Sequence, residues 1–353
     1  MDDELKLQVT AVVKNLQVHS ETKDGVLWAS RKLRLYVSRD DGKTWCSRGT
    51  LGRPGAKAVG KISLVNRLLR LGIHQIVPAG DHGLVAIADR AIYFSRDDGA
   101  SFQCTHRLRH GRRPLRQGVS VTPDGGMFYG EYWANREREA VRIYRSPDGG
   151  VTWGTAFEFG AGEIRHIHAV QYDRFTGAMW VATGDSDLES RIGFSVDGGR
   201  TFHFIGGGSQ IWRAVSLAFT EDSVIWGTDN PDGLNHIMRW KRSDGCLDWI
   251  EPVLGPVYYS RQLGSYILFS TACETRKDED DAFARVYCVK DQLGVHEWKA
   301  FRKDRWHPTL FGYGVIEFST ASDDSGCCWM TAKGVKGGML SLRVALTDDQ
   351  IDL

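Results

Sequence analysis

One eight-residue pattern recurs four times without gaps. Its copies are Ser38-Arg39-Asp40-Asp41-Gly42-Lys43-Thr44-Trp45, Ser95-Arg96-Asp97-Asp98-Gly99-Ala100-Ser101-Phe102, Ser146-Pro147-Asp148-Gly149-Gly150-Val151-Thr152-Trp153 and Ser195-Val196-Asp197-Gly198-Gly199-Arg200-Thr201-Phe202. They share S-x-D-x-G-x-[ST]-[WF], and their starts lie 57, 51 and 49 residues apart. Degenerate copies around Arg242-Ser243-Asp244-Gly245 and Lys290-Asp291-Gln292 end at Trp249 and Trp298. Alternating strand-like runs such as Ile92-Tyr93-Phe94 precede the motif. A period near 50 residues suits one four-stranded unit, which must stack on its neighbours to bury its apolar faces. Within the motif, Asp accepts hydrogen bonds from its own turn, Gly supplies a positive φ, and the aromatic packs under the hairpin. These Asp residues read as structural staples, not catalysts.

Composition agrees with a turn-rich all-β chain. Gly is 40 of 353 residues, against about 7% in an average protein. Lys plus Arg total 45 and Asp plus Glu 44, a near-neutral balance that argues against nucleic acid or an anionic membrane surface as partner. No apolar run approaches the roughly 18 residues of a membrane-spanning helix, so membrane insertion is not expected. The start, Met1-Asp2-Asp3-Glu4, is acidic where a signal peptide is basic. Seven Cys without a CxxC pair fit free thiols in a reducing cytoplasm; if a leader has been removed, the expectation becomes an exported protein. Oligomeric state is left open.

The repeated pattern resembles the Asp-box of the sialidase-type β-propellers, over about residues 25 to 300. The resemblance implies a single β-propeller domain over residues 1–353. Its members include sialidases, other glycoside hydrolases, polysaccharide lyases and non-catalytic glycan binders, so it fixes little about activity. Candidate inner strands lie at Val9–Leu16, Ile73–Ile76, Gln117–Val121, Ile167–Val170, Trp212–Leu217, Val257–Tyr259 and Tyr313–Ile316. Seven blades are expected, with six, the sialidase number, as the alternative. Leu5–Gln8 would add the outer strand of the last blade and close the ring, removing exposed edges.

In a propeller, inner strands start at the channel face onto which the loops after each second strand also open. That rule gathers His74, Arg116, Gln117, Arg165, His166, His168, Gln210, Arg213, Tyr258, Tyr259 and Tyr313 with Glu131, Tyr132, Asn135, Asp185, Asp187, Glu189, Asp229, Asn235, His236 and Glu274. Arg165-His166-Ile167-His168 places two imidazoles on one side of a strand. Either they line a polar, metal-free channel, or one serves as a general base beside an Arg that anchors a carboxylate. Glu131-Tyr132-Trp133-Ala134-Asn135 sets an acid, a phenol and an amide beside an aromatic able to stack on a sugar. Asp185, Asp187 and Glu189 could take Ca²⁺, although no Gly follows where an EF-hand loop needs one; a solvated acidic loop is the plainer reading, and no other cofactor is expected. Trp212, Arg213 and Asp229 form either a rim ion pair or a substrate clamp.

An acidic oligo- or polysaccharide is the expected partner. Elimination from a uronic acid needs carboxylate neutralisation, a base and an acid, which Arg165 or Arg213, His166 or His168, and Tyr132, Tyr258 or Tyr259 would supply. Seven-bladed propeller lyases within the resemblance use Arg, His and Tyr in this way. A hydrolase would instead pair Glu131 with Asp185 or Asp229. A binding propeller would use an aromatic rim around Trp133, Trp212 and Trp306. The sialidase pattern is incomplete: there is no Arg-Ile-Pro stretch, and nothing fixes which of Arg116, Arg165, Arg213 and Arg276 would form an arginine triad.

Overall fold

A computed structural model describes residues 7–52, 72–79, 83–230, 233–274, 282–290, 294–320 and 326–346. Seven four-stranded antiparallel sheets form the blades of a ring. Their innermost strands, Gln17–Glu21, Ile73–Pro78, Val119–Val121, His166–Tyr172, Ala214–Phe219, Val257–Leu263 and Val315–Phe318, define blades one to seven. Burial falls from the axis outward. In blade two, the strand Leu84–Ala88 is buried throughout, whereas the outer strand Gln103–Arg107 is mostly exposed. Middle strands are covered on both faces by neighbouring blades, which is why they read as continuous apolar runs. Trp180, Trp226 and Trp329, each on a second strand, are fully buried between blades.

Ring closure comes from the two ends of the chain, with one correction of register. Leu7–Lys14 is the outer strand of blade seven, pairing Leu7 with Leu346 and Lys14 with Leu340. The inner strand expected at Val9–Leu16 is therefore this outer strand, and the first inner strand follows it at Gln17–Glu21. The burial pattern gives the reason. Val9 and Val12 are exposed, whereas Val18 and His19 are buried on the axis side. Leu5 and Lys6 lie outside the described residues.

The four repeated hairpins join third to fourth strands in blades one to four. In the first, Asp40 Oδ1 accepts from the Thr44 amide at 2.9 Å, Asp40 Oδ2 from the Thr44 hydroxyl at 2.6 Å, and Ser38 Oγ from the Gly42 amide at 2.9 Å. These bonds hold the Asp40 carboxyl down to about 2, and the matching bonds from Ser101 and Ser95 do the same for Asp97. The glycines have a second task. A Cβ at Gly99 would lie 2.3 Å from Leu35 of blade one, and one at Gly150 would lie 2.6 Å from Val85 of blade two. Each hairpin thus seats on the preceding blade, and the motif sets blade packing as well as turn geometry.

Side chains cross-link the channel. Arg116 of blade three reaches Glu317 of blade seven at 3.0 Å, and Gln117 donates to the Ser260 carbonyl of blade six at 3.2 Å. The axis is therefore bridged by contacts among blades three, six and seven.

Candidate functional site at the channel mouth

Two polar clusters share the mouth. The first spans blades three to six. Asp185 follows the second strand of blade four, and its neighbours come from strand starts. Its Oδ1 lies 3.2 Å from His166 Nε2 and 3.3 Å from His168 Nε2, and the two imidazole nitrogens are 3.1 Å apart. Arg165 holds Oδ2 at 2.8 Å, while Arg213 Nη2 lies 3.3 Å from Oδ1. Both Arg213 Nε and Nη2 take Asp229 Oδ2 at 3.1 Å, and no described residue hydrogen-bonds the other Asp229 oxygen. Gln210 donates to the Asp185 carbonyl and to Asp187 Oδ1, bracing the loop from below.

The environment separates the two carboxyls. Burial pushes Asp229 up to about 7 despite Arg213, with Glu274 and Asp185 adding to the rise. Burial also pushes at Asp185, but hydrogen bonds with His166 and His168 outweigh it and hold the group well below the carboxylate range. Burial drives His168 down to about 4, so this ring is neutral at pH 7. Groups split in this manner are the usual material of acid–base sites.

Two phenols complete this half. The Tyr132 ring lies 4.3 Å from His166 by centroid, and burial with the nearby Asp185 and Asp229 charges raises its hydroxyl to about 12. Among the described residues nothing hydrogen-bonds that hydroxyl. Tyr258 donates to Glu274 Oε1, and burial raises Tyr258 further.

The second cluster spans blades one, two, three and seven. Glu317 accepts from Arg116 at 3.0 Å and Gln17 at 2.8 Å through Oε2, and from Lys333 at 2.6 Å through Oε1. Neutral His19 and His74 flank it, both held down by burial first and then by nearby cations. Burial likewise lowers Lys333 to about 8. Above this cluster Arg113 donates to His74 Nδ1 at 2.9 Å. Its charge reaches Tyr132, Tyr259 and Glu317, yet among the described residues no carboxylate forms an ion pair with it.

Several expected site residues have other employment. Glu131 is buried and raised to about 7, but its carboxylate accepts from the Arg142 amide, within its own blade. Asn135 ties its loop to the Glu139 and Arg165 carbonyls, and Asn235 does the same for the Asn230 backbone. Trp212 stacks on Trp226 and fills the space a Cβ at Gly206 would need. His236 meets Trp249 of the outermost strand, 4.2 Å away. Trp133 stacks on His110, and Trp306 packs on Phe311. Tyr313 is part-exposed within electrostatic reach of Tyr132, and Tyr259 is buried near Glu317. Glu189 pairs with Arg138 and caps Ser186, Asp187 faces Gln210, and Asp185 faces the imidazoles, so these three carboxylates share no centre. Arg276 lies outside the described residues. Arg113, Lys333, Glu317 and His19 were not singled out from sequence. Lys333 ends the second strand of blade seven, a position equivalent to those that present Asp185 and Asp229, so topology could have found it.

No protein-family model and no curated relative matches the chain. Solved structures share the fold. A chain of the mitotic checkpoint complex superposes with a TM-score of 0.58 at 9% identity, covering 97% of this chain and 95% of its own length. An ancestral GH74 enzyme gives 0.57 at 11% identity, over 94% of this chain and 44% of that one. The extracellular domain of a putative hybrid two-component system from B. thetaiotaomicron gives 0.57 at 12%, over 99% and 39%. This chain thus spans less than half the length of the latter two. At such identities the likeness concerns the seven-bladed architecture alone, which serves enzymes and binding proteins alike.

Proposed function

We propose that the channel mouth is the active site of an enzyme that cleaves an acidic, uronic-acid-containing polysaccharide by β-elimination. The observation that carries this reading is Arg113, a cation at the mouth that forms no ion pair among the described residues, near the Tyr132 phenol, which also lies within electrostatic reach of the Asp229 carboxyl raised to about 7. Arg113 pairs with the substrate carboxylate and stabilises the enediolate that forms when the α-proton leaves. Asp229 takes that proton through its unengaged oxygen. Tyr132, neutral below pH 12, gives its proton to the departing glycosidic oxygen as the carbon–oxygen bond breaks and the double bond forms. Arg165 and Arg213 hold Asp185 beside the two imidazoles. The four hairpins support placing the chain among the Asp-box propellers.

A second reading has its own support. Asp185 kept ionised and Asp229 kept protonated, joined through Arg213, form a base–acid pair of the kind a glycoside hydrolase uses, and the Tyr258–Glu274 bond is the pairing a sialidase-like enzyme would need.

The test follows absorbance of unsaturated uronate and new reducing ends on a panel of uronic- and sialic-acid glycans. β-Elimination raises both, its rate climbs with pH through about 7 as Asp229 ionises, and Tyr132→Phe lowers turnover roughly 10²- to 10⁴-fold. Reducing ends without absorbance, with a rate that falls through the same pH range, would overturn elimination in favour of hydrolysis. No cleavage, with binding intact, would leave a glycan-reading propeller.

A further inference from the structure

The imidazoles of His166 and His168 have an unusual relation to their surroundings. His166 Nδ1 lies 2.8 Å from the Trp133 carbonyl, and His168 Nδ1 lies 3.2 Å from the Ala214 carbonyl. A carbonyl oxygen only accepts, so each Nδ1 carries its proton, and in a neutral ring Nε2 is then a bare lone pair. Those two lone pairs and Asp185 Oδ1 form a nearly equilateral triangle with sides of 3.1, 3.2 and 3.3 Å. Three acceptors at such separations repel unless a proton or a metal ion lies among them; a proton joins two of them, as in the hydrogen bonds that hold Asp185 down, whereas a metal ion joins all three at once.

We propose that His166 Nε2, His168 Nε2 and Asp185 Oδ1 bind one divalent first-row transition-metal ion. An ion about 2.0–2.2 Å from each atom needs donors roughly 3.0–3.5 Å apart, which the triangle already provides. Two His and one carboxylate on one face leave the remaining coordination positions directed away from the protein ligands. The outer shell is that of a metal site: each ring is anchored through its second nitrogen to a carbonyl, and Arg165 holds the second oxygen of the carboxylate at 2.8 Å. Gly184 keeps room for this arrangement, since a Cβ there would lie 2.5 Å from His168 Cε1. Arg213 Nη2, 3.3 Å from the same Asp185 oxygen, opposes the ion and has Asp229 as its other anchor. Imidazole nitrogens select a transition metal over Ca²⁺, which takes oxygen ligands.

The test uses tag-free protein stripped with a chelator, then dialysed against Co²⁺ or Zn²⁺. One equivalent per chain and visible absorption of bound Co²⁺ are expected. Stoichiometry should fall at least tenfold in His166→Gln and His168→Gln, and be retained in His236→Gln. Circular dichroism and the unfolding midpoint report whether each variant is folded; if the His variants fail to fold, the wild-type protein still decides through the ring-nitrogen NMR shifts of His166 and His168, which must move with metal. Absence of binding, binding that survives both substitutions, or a single shared proton seen on the rings with no metal response would overturn the site. The reading is independent of glycan cleavage. A chain that binds Co²⁺ and cleaves nothing keeps this inference and loses the proposed activity.

Discussion

The two halves of the channel mouth are built from the same residue types, Arg, His and a carboxylate, and they differ in what is left over. At Glu317 the carboxylate is closed: both oxygens are taken, by Arg116 and Gln17 on one side and Lys333 on the other, and the side chain is 4% exposed, although Nε2 of the flanking His74 is buried without a partner. Around Asp185 the arrangement is open: the carboxylate is 23% exposed, an Asp229 oxygen and the Tyr132 hydroxyl lack partners among the described residues, and two imidazole Nε2 atoms lie 3.1 Å apart. A buried ion pair whose carboxylate oxygens are both taken braces three blades across the axis. A half-buried one with spare acceptors can bind. Composition does not separate strut from site; the exposure and pairing of the central carboxylate do.

The largest way to break this comparison is Glu317→Gln. It leaves Arg116 and Lys333 buried beside each other without a counter-charge. Removing one partner of a buried ion pair costs about 3–5 kcal/mol, to be read as a loss in denaturant midpoint at constant slope. A change below about 1 kcal/mol would show that the Glu317 cluster is solvated and is no strut. Next in size is the contrast between two arginines three residues apart. Arg113→Ala should weaken binding of a uronate oligosaccharide about ten- to a hundredfold, the worth of one charge-assisted contact, with the unfolding midpoint nearly unchanged. Arg116→Ala should do the reverse. Titration calorimetry on both variants decides, and equal effects on binding would erase the division between the halves.

How far the sequence reached follows the same line. The repeat carried its own hydrogen bonds within eight residues, so the place of four hairpins was legible without tertiary contacts, and counting candidate inner strands gave seven blades with six as the alternative; Asp291 and Gln292 of the degenerate sixth copy lie outside the described residues. Closure of the ring was legible too, but not its register: Val9–Lys14 alternates like an inner strand, and only its pairing with Leu340–Leu346 shows that it faces outward. At the mouth, Arg165, His166, His168, Arg213 and Asp185 follow from the rule that strand starts and second-strand ends converge. Glu131, Asn135 and Asn235 satisfy the same rule and yet turn to their own loops, because the direction of a side chain depends on local backbone donors. Arg113 obeys no such rule. It sits in the loop ahead of the inner strand and reaches the channel only through the length of its side chain.

The smallest effect gives the finest test of the open half. The Asp229 pKa is about 7 in the folded chain, against about 3.9 when unfolded, so between those values the folded state binds more protons. Its contribution to stability is therefore complete below pH 4 and lost as pH rises to 7. His168 works oppositely: lowered to about 4, it leaves the unfolded state holding the extra proton up to about 6.5, and stability rises with pH over that range. The two slopes overlap and partly cancel, so the pH profile of the parent alone is uninformative. Asp229→Asn removes one of them while Arg213 keeps Asp185. The variant should gain on the parent by roughly 1–3 kcal/mol between pH 5 and 8, read from the difference of denaturant midpoints. A constant difference across that range would mean that Asp229 is ionised throughout, and it would lose its place as the group that titrates at the mouth.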